Sequence, residues 1–119
     1  MLVYDLPQEN FITFGCASLD SVTNGGIICG KITEIYGESG SGKTQIALQL
    51  ALNAQLPQRL NGTRKKSIYI CTENSFPIKR MNQMIVEMNK KYRRSQINYT
   101  ENVLISHNLD SVSNFICHK

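Results

Sequence analysis

The sequence predicts an α/β fold in which helices flank a partial parallel sheet. A β-branched and aromatic run at residues 32–36 leads into a glycine-rich loop and then into an Ala- and Leu-rich segment at 45–54. Further apolar runs occupy residues 67–71 and 103–105, with an amphipathic segment between them. Short apolar strands that alternate with helices are typical of parallel sheets built from βαβ units.

The glycine-rich loop matches a nucleotide-binding motif. Residues 37–44 read Gly-Glu-Ser-Gly-Ser-Gly-Lys-Thr and fill the phosphate-loop template Gly-x-x-x-x-Gly-Lys-[Ser/Thr] at every fixed position. Because glycines lack Cβ atoms, the backbone can wrap a phosphate with its N–H groups pointing inward. We expect Lys43 to reach the β- and γ-phosphates and the Thr44 hydroxyl to bind Mg²⁺. A flexible linker is the alternative, but the predicted strand and helix on either side favour a nucleotide site.

The segment before the phosphate loop is predicted to contain a short strand, a brief helix and several turns. Residues 1–10 have the composition of a linker remnant, whereas residues 11–119 are predicted to form a single domain. Residues 11–14 are a strand candidate. We expect Ser18 to cap a brief helix that the Asn-Gly-Gly turn at 24–26 ends, since Asn and Gly tolerate positive φ.

The second half predicts another strand, a long helix and a third strand. The strand at 67–71 is apolar on both faces, as expected where helices cover both sides of a parallel sheet. Ser75 and Pro77 open the helix. Its apolar stripe consists of Ile78, Met81, Met84, Ile85, Met88 and Tyr92. The stripe predicts packing on the sheet, with a Met-rich partner groove as the alternative. Asn108 or Asp110 is predicted to cap a further helix.

Charge and composition narrow the function only slightly. The formal charge is +4, a mild basic bias. The basic run at 64–66 is interpreted as a solvated loop, with nucleic-acid contact as the alternative, and the cations at 90–94 suit the negative end of a helix dipole. The four cysteines and two histidines lack zinc-site spacing, and no apolar run is long enough to span a membrane.

Glu73 is the candidate general base. It follows the strand at 67–71, and ligands of open parallel sheets bind at the carboxyl ends of the strands, so Glu73 is expected on the same rim as Lys43. A carboxylate there can orient or deprotonate the water that attacks a γ-phosphate. The alternative is that Glu73 only caps the helix that follows Ser75.

Two separated blocks resemble one known family. The segment FGCASLDSVTNGGIICGKITEIYGESGSGKTQIALQLAL at 14–52 is similar to the RecA-like recombinases and their eukaryotic paralogues, and IYICTENSFPIKRM at 68–81 resembles the family's strand ending in Thr-Glu. The resemblance covers about residues 11 to 115 and implies a RecA-like P-loop NTPase fold. Two blocks are far more specific than a phosphate loop alone.

The resemblance also implies roles for individual residues. The residues expected to bind the cofactor are Gly37, Glu38, Ser39, Gly40, Ser41, Gly42, Lys43, Thr44, Gln45 and Arg80. Lys43 and Glu73 are the implied catalytic residues, and Thr44 is the implied Mg²⁺ ligand. Arg80 corresponds to the arginine on the base side of the nucleotide.

The implied function is that of an ATP- and Mg²⁺-dependent, DNA-dependent ATPase of the recombinase-paralogue type, acting in homologous-recombination repair of DNA double-strand breaks. DNA and related recombinase paralogues are the implied partners, and the nucleus is the implied location, with the cytoplasm as a second one. One alternative is a nucleotide-gated interaction module with little hydrolysis. Another is a small phosphotransferase. A kinase of that kind would need a lid of arginines, which we do not find in the sequence, so this alternative is disfavoured.

The chain also departs from the family pattern. No apolar strand ending in Asp follows the predicted strand at 103–105, both DNA-binding loops that come after such a strand in the family are missing, and Phe-x-x-Ala does not precede residue 11. We therefore expect residues 11–119 to be the N-terminal part of a RecA-like ATPase core, truncated before the Walker B strand. We also expect the isolated chain to be aggregation-prone and catalytically inactive.

Overall fold

The computed structural model describes residues 10–72 and 75–107. The elements in chain order are β1 (Phe11–Ile12), α1 (Ala17–Val22), β2 (Ile27–Ile28), α2 (Lys43–Asn53), β3 (Ser67–Cys71), α3 (Ile78–Lys91) and β4 (Val103–His107). Single turns of 3₁₀ helix lie at Gln58–Leu60 and Arg93–Ser95. The helix predicted to be capped by Asn108 or Asp110 lies outside the described residues, as do residues 1–9 of the predicted linker at 1–10.

The strands form two small sheets. β1 and β2 pair antiparallel, with Phe11 opposite Ile28. β3 and β4 pair parallel and in register, from Ser67 opposite Val103 onward. Because α3 connects the two parallel strands, β3, α3 and β4 make a βαβ unit. The predicted strands at 67–71 and 103–105 and the helix opened by Pro77 are therefore confirmed.

The core lies between one face of β3 and the two long helices. α2 packs on β3, and α3 packs on α2. The buried apolar cluster comprises Leu48, Leu52, Leu56, Cys71, Phe76, Met81, Met84, Met88, Tyr99 and Val103. The ring of Phe76 meets that of Tyr69 edge-on, with the centroids 4.9 Å apart. The methionines of α3 thus belong to the core, as predicted from their spacing.

A hydrogen-bond network joins the N-terminal segment to α2. The Thr13 hydroxyl and the Phe14 amide both donate to the Asp20 carboxylate, the latter at 2.8 Å. Asn53, buried at the end of α2, donates from Nδ2 to the Thr13 carbonyl at 2.9 Å. The Thr13 amide donates in turn to the Asn61 carbonyl at 3.0 Å. These bonds fix the β1–β2 sheet beside the end of α2.

Three predictions about the elements are wrong. Residues 32–36 form no strand, and Ile32 is 99% exposed, because this segment pairs with neither of the free edges that the two-stranded β3–β4 sheet offers. β3 is covered on one face only, so Ile68 and Ile70 are exposed together with Leu104 of β4. α1 begins after Cys16 with no side-chain cap, and Ser18 lies inside the helix.

Among the described helices, none combines the length and apolar character that crossing a bilayer requires. The longest is α3, with 14 residues and only one apolar face.

Candidate nucleotide site

The phosphate loop leads directly into α2. Gly40 and Gly42 have φ of 82° and 105°, a left-handed conformation that glycine adopts without strain. Gly42 immediately precedes α2, whose first residue is Lys43. The first amides of an α-helix have no intrahelical acceptor, and they point along the axis toward the loop. The glycines predicted from the motif are therefore the residues that set the geometry of this turn.

Lys43 folds back over the loop to which it belongs. Its Nζ donates to the carbonyl oxygens of Gly37 and Glu38, the latter at 3.0 Å. The Glu38 carbonyl also accepts the Ser41 amide at 3.1 Å, which closes a tight turn. The ammonium group is thus held at the loop by weak carbonyl acceptors, which phosphate oxygens can replace with stronger charged hydrogen bonds.

The loop residues leave room for a ligand. Residues 37–41 are exposed, including Ser39, and a Cβ added at Gly40 or Gly42 would meet nothing within 4 Å. The amides of Gly40 and Gly42 have no acceptor within the described part of the chain. Exposed amides beside a helix N-terminus form a concave surface that suits phosphate. The residues present therefore fit the triphosphate that the motif predicts.

Thr44 meets the carboxyl end of β3. It lines a cavity of about 270 Å³ together with Cys71, Thr72 and Ser75. The phosphate loop and the end of β3 thus share one rim, as the parallel arrangement predicts. Glu73 itself lies outside the described residues. The structure places its chain neighbours Thr72 and Ser75 at this rim, and its predicted role is not tested by the geometry.

Arg80 and Gln45 contact each other. Arg80 Nε donates to Gln45 Oε1 at 2.8 Å, and its Nη1 donates to Gln83 Oε1 at 3.2 Å. Gln45 lies in the first turn of α2, so this contact brings the start of α3 to the phosphate-loop end of α2. Both residues were expected at the nucleotide through the resemblance, but their mutual contact was not.

Two lining residues of the Thr44 cavity, Thr72 and Ser75, were not predicted as site residues. The signal available was their position immediately after β3, which in a parallel sheet places a residue at the ligand-binding rim. No group of three His, Cys, Asp or Glu side chains suited to a metal occurs among residues 10–72 and 75–107. The role of Thr44 as the Mg²⁺ ligand stays a prediction from the motif.

A phosphate-loop sequence at the start of a helix, next to a βαβ unit, is typical of P-loop α/β proteins, although the strand that enters the loop in that motif does not form at 32–36. The family model for Rad51 matches residues 8–116. The chain belongs to the Rad51 family, whose RecA-like domain has the P-loop NTPase fold.

Three relatives illustrate the similarity. The DNA repair protein XRCC3 of Bos taurus is 37% identical over 109 residues, which covers 87% of this chain and 32% of that protein. The XRCC3 homolog of Arabidopsis thaliana is 40% identical over 96 residues, with 81% and 32% covered. The DNA repair and recombination protein RadA of Methanocorpusculum labreanum is 53% identical over 66 residues, with 56% and 20% covered. The chain spans about a third or less of these relatives' length.

Proposed function

We propose that this chain binds MgATP and acts in homologous-recombination repair of DNA double-strand breaks in the nucleus, as part of an ATP-dependent recombinase paralogue. The observation that carries the nucleotide part is the left-handed glycine turn that delivers Lys43 and Thr44 at the start of α2. The repair part is supported by family membership and by the names of the relatives, which are DNA repair and recombination proteins.

Each site residue has a distinct part in this proposal. The phosphates bind the loop amides, and the residues involved are Gly37, Glu38, Ser39, Gly40, Ser41, Gly42, Lys43, Thr44 and Gln45. Lys43 exchanges the carbonyls of Gly37 and Glu38 for β- and γ-phosphate oxygens. Thr44 would hold Mg²⁺ through its hydroxyl, and the bound ion would supply positive charge that neutralises the phosphates. Arg80, fixed by Gln45, lies on the base side of the nucleotide.

Glu73 is proposed as the residue that orients and deprotonates the attacking water. Its support is its place in the sequence, two residues after β3 and next to Thr72, which lines one cavity with Thr44. Capping of α3 is the competing role. The two roles differ in what they affect, because a cap contributes to stability whereas a base contributes to hydrolysis.

A second candidate is a nucleotide-gated interaction module that hydrolyses little ATP. The specific observation in its favour is the uncovered apolar face of the parallel sheet, where Ile68 is 49% exposed and Leu104 is 51% exposed. An exposed apolar face marks a surface for association, and related recombinase paralogues are the proposed partners. The two candidates both bind MgATP and differ in turnover, which a single-turnover hydrolysis assay measures.

Binding of MgATP tests the shared part of the proposal. Lys43→Ala removes the only side-chain charge expected at the β- and γ-phosphates. Since a hydrogen bond to a charged group contributes roughly 1.5–3 kcal/mol, we expect affinity to fall about 10- to 100-fold. Calorimetric titration with MgATP measures it.

The matched control is Lys65→Ala, which removes the same charge from the loop beyond the other end of α2. It should leave MgATP affinity unchanged. Equal affinity of the Lys43→Ala variant and the wild type would refute the nucleotide site.

A further inference from the structure

A large cavity lies beyond the opposite end of α2 from the phosphate loop. It measures about 930 Å³ and is formed by the β1–β2 sheet, the turn after α2 and the loop that enters β3. Its cationic lining residues are Lys31, Arg59, Arg64, Lys65 and Lys66, and we call this surface the basic pocket. None of the described residues that line it is acidic. Five positive charges therefore converge on one concave surface.

The cations of the basic pocket are not neutralised within the described part of the chain. All five side chains are exposed, and none makes an ion pair or hydrogen bond there. The other basic cluster, at 90–94, differs in this respect. Lys90 pairs with Glu87 at 3.4 Å, and Lys91 Nζ lies 5.4 Å from the centre of the Tyr92 ring. Two of the four cations at 90–94 are thus engaged within the chain, whereas Arg93 and Arg94, like the five cations of the basic pocket, make no ion pair or side-chain hydrogen bond among the described residues.

The backbone of the basic loop is fixed in place. The carbonyl of Ala54 accepts the amides of Thr63 and Lys65 at 3.0 and 3.2 Å, and the Leu56 carbonyl accepts the Arg64 amide at 3.0 Å. The Thr63 hydroxyl also donates to Ala54 O at 3.0 Å. Loop amides therefore satisfy the carbonyls beyond α2. Cations near a helix C-terminus often serve those carbonyls, but here the side chains are left for another ligand.

A glycine holds the same loop tightly against α2. Gly62 is buried, and a Cβ added there would lie 2.2 Å from the Leu56 carbonyl oxygen. Asn61 and Arg64 on either side have φ of 62° and 56°. The chain thus maintains a close backbone approach and two left-handed residues to present this loop, and a held loop loses less entropy when it binds a ligand.

The chemistry of the lining favours a phosphate backbone. Arginine and lysine supply the forked and point-charge donors that phosphates accept. The described lining has no aromatic ring on which a base could stack. Its charges come from three chain segments and are spread over an open surface, which suits phosphates spaced along a strand better than one compact anion.

We propose that the basic pocket binds the sugar-phosphate backbone of nucleic acid, without reading its sequence, at a site separate from the phosphate loop. α2 has 11 residues and therefore separates the two sites by about 16 Å. The proposal does not depend on nucleotide binding. It assigns contacts with nucleic acid to residues within this chain.

The test compares two variants of equal charge change. The pocket variant carries Arg59→Gln, Arg64→Asn, Lys65→Gln and Lys66→Gln, where Asn is used because residue 64 has positive φ. The control variant carries Lys90→Gln, Lys91→Gln, Arg93→Gln and Arg94→Gln. Fluorescence anisotropy measures binding of a labelled oligonucleotide, single-stranded in one arm and duplex in the other, on the monodisperse chain between about 50 and 200 mM salt.

The pocket variant should bind the oligonucleotide at least about tenfold more weakly than the wild type. The slope of log affinity against log salt concentration should correspond to about three to four fewer phosphate contacts. The control variant should bind as the wild type does. Equal weakening of both variants would overturn the proposal, because net charge alone would explain it. No weakening of the pocket variant would overturn it as well.

Two further measurements keep the test decisive. If the pocket variant melts at a lower temperature than the wild type, the double variant Lys65→Gln/Lys66→Gln replaces it, with an expected loss of about two contacts in the salt dependence. Poly-glutamate is added as a competitor in place of unlabelled oligonucleotide. We expect it to compete more weakly per charge, and equal or stronger competition would assign the pocket to an acidic polypeptide and overturn the proposal.

Discussion

At the start of α2 the backbone supplies the groups suited to an anion, whereas beyond its end only side chains do. The amides of Gly40 and Gly42 have no acceptor within the described part of the chain, and one cation, Lys43, folds back onto the carbonyls of the same loop. Beyond the end of α2, the amides of Thr63 and Lys65 are already bound to a carbonyl, and several uncommitted cations surround them.

This difference implies two kinds of recognition. Backbone amides have fixed positions, so the phosphate loop is suited to one phosphate geometry and depends on glycine. Long basic side chains have variable positions, so the basic pocket suits many arrangements of phosphates and its binding is weakened by salt. Substitutions at each end of α2 should therefore have separable consequences.

The largest effect is expected at the rim next to the start of α2. In the whole protein, Glu73→Gln should preserve MgATP affinity but lower single-turnover hydrolysis by about 10²- to 10⁴-fold, since the amide cannot accept a proton from water. Rapid-quench measurement with protein in excess over ATP tests this. Unchanged hydrolysis would assign Glu73 to capping of α3, in which case thermal stability should fall instead.

A pair of glycine substitutions tests whether the two ends act independently. Gly62→Ala forces a backbone shift against the Leu56 carbonyl, so we expect a loss of about 1–3 kcal/mol in stability and weaker oligonucleotide binding, with MgATP affinity retained. Gly40→Ala meets no atom within 4 Å but has φ of 82°, so strain of about 1–2 kcal/mol should reduce MgATP affinity and spare oligonucleotide binding.

Urea unfolding and the two binding assays are run on both glycine variants. The expected pattern is crossed, with each variant affecting one ligand. If either substitution weakened both ligands equally, the two ends of α2 would be coupled and the comparison would be wrong.

The sequence predicted the parts of this molecule that depend on local residue order. The phosphate loop follows from eight consecutive residues, and β3 follows from a run of β-branched and aromatic side chains. Residues 32–36 have the β-branched and aromatic composition of a strand but form none, because a strand also needs backbone pairing with a neighbour, and composition does not determine whether an available edge is used.

The phosphate loop and the basic pocket also differ in how much of each the sequence alone predicted. The motif identified Lys43 and Thr44, whereas Lys31 and Arg59 join the basic loop only through folding, since 27 intervening positions separate them along the chain. The run at 64–66 was visible in the sequence, but its lack of neutralising partners was not. Whether a basic run is solvated or forms part of a pocket depends on tertiary contacts that periodicity does not encode.

The smallest effect is expected in the core beside the C-terminal end of α2. Gln55, just after α2, donates from Nε2 to the Tyr99 carbonyl at 3.2 Å, and Tyr99 is only 2% exposed. Its hydroxyl has no hydrogen-bond partner among the described residues. Burial, with a smaller contribution from Tyr92, raises the pKa of the Tyr99 phenol above its ordinary value of 10.0.

This raised pKa predicts a loss of stability at high pH. Below the unfolded-state pKa of about 10, Tyr99 is neutral in both states and its contribution to the free energy of unfolding is fully present. As pH rises toward the folded-state pKa, only the unfolded state ionises and that contribution is lost.

Tyr99→Phe should change the free energy of unfolding by less than about 1 kcal/mol at neutral pH, because the lost hydroxyl is unpaired. Above pH of about 10 the variant should be the more stable protein. Urea unfolding across this range measures the difference, with Tyr36→Phe, at a side chain 86% exposed, as the control. If the wild type and Tyr99→Phe lost stability in parallel, Tyr99 would not be the group responsible.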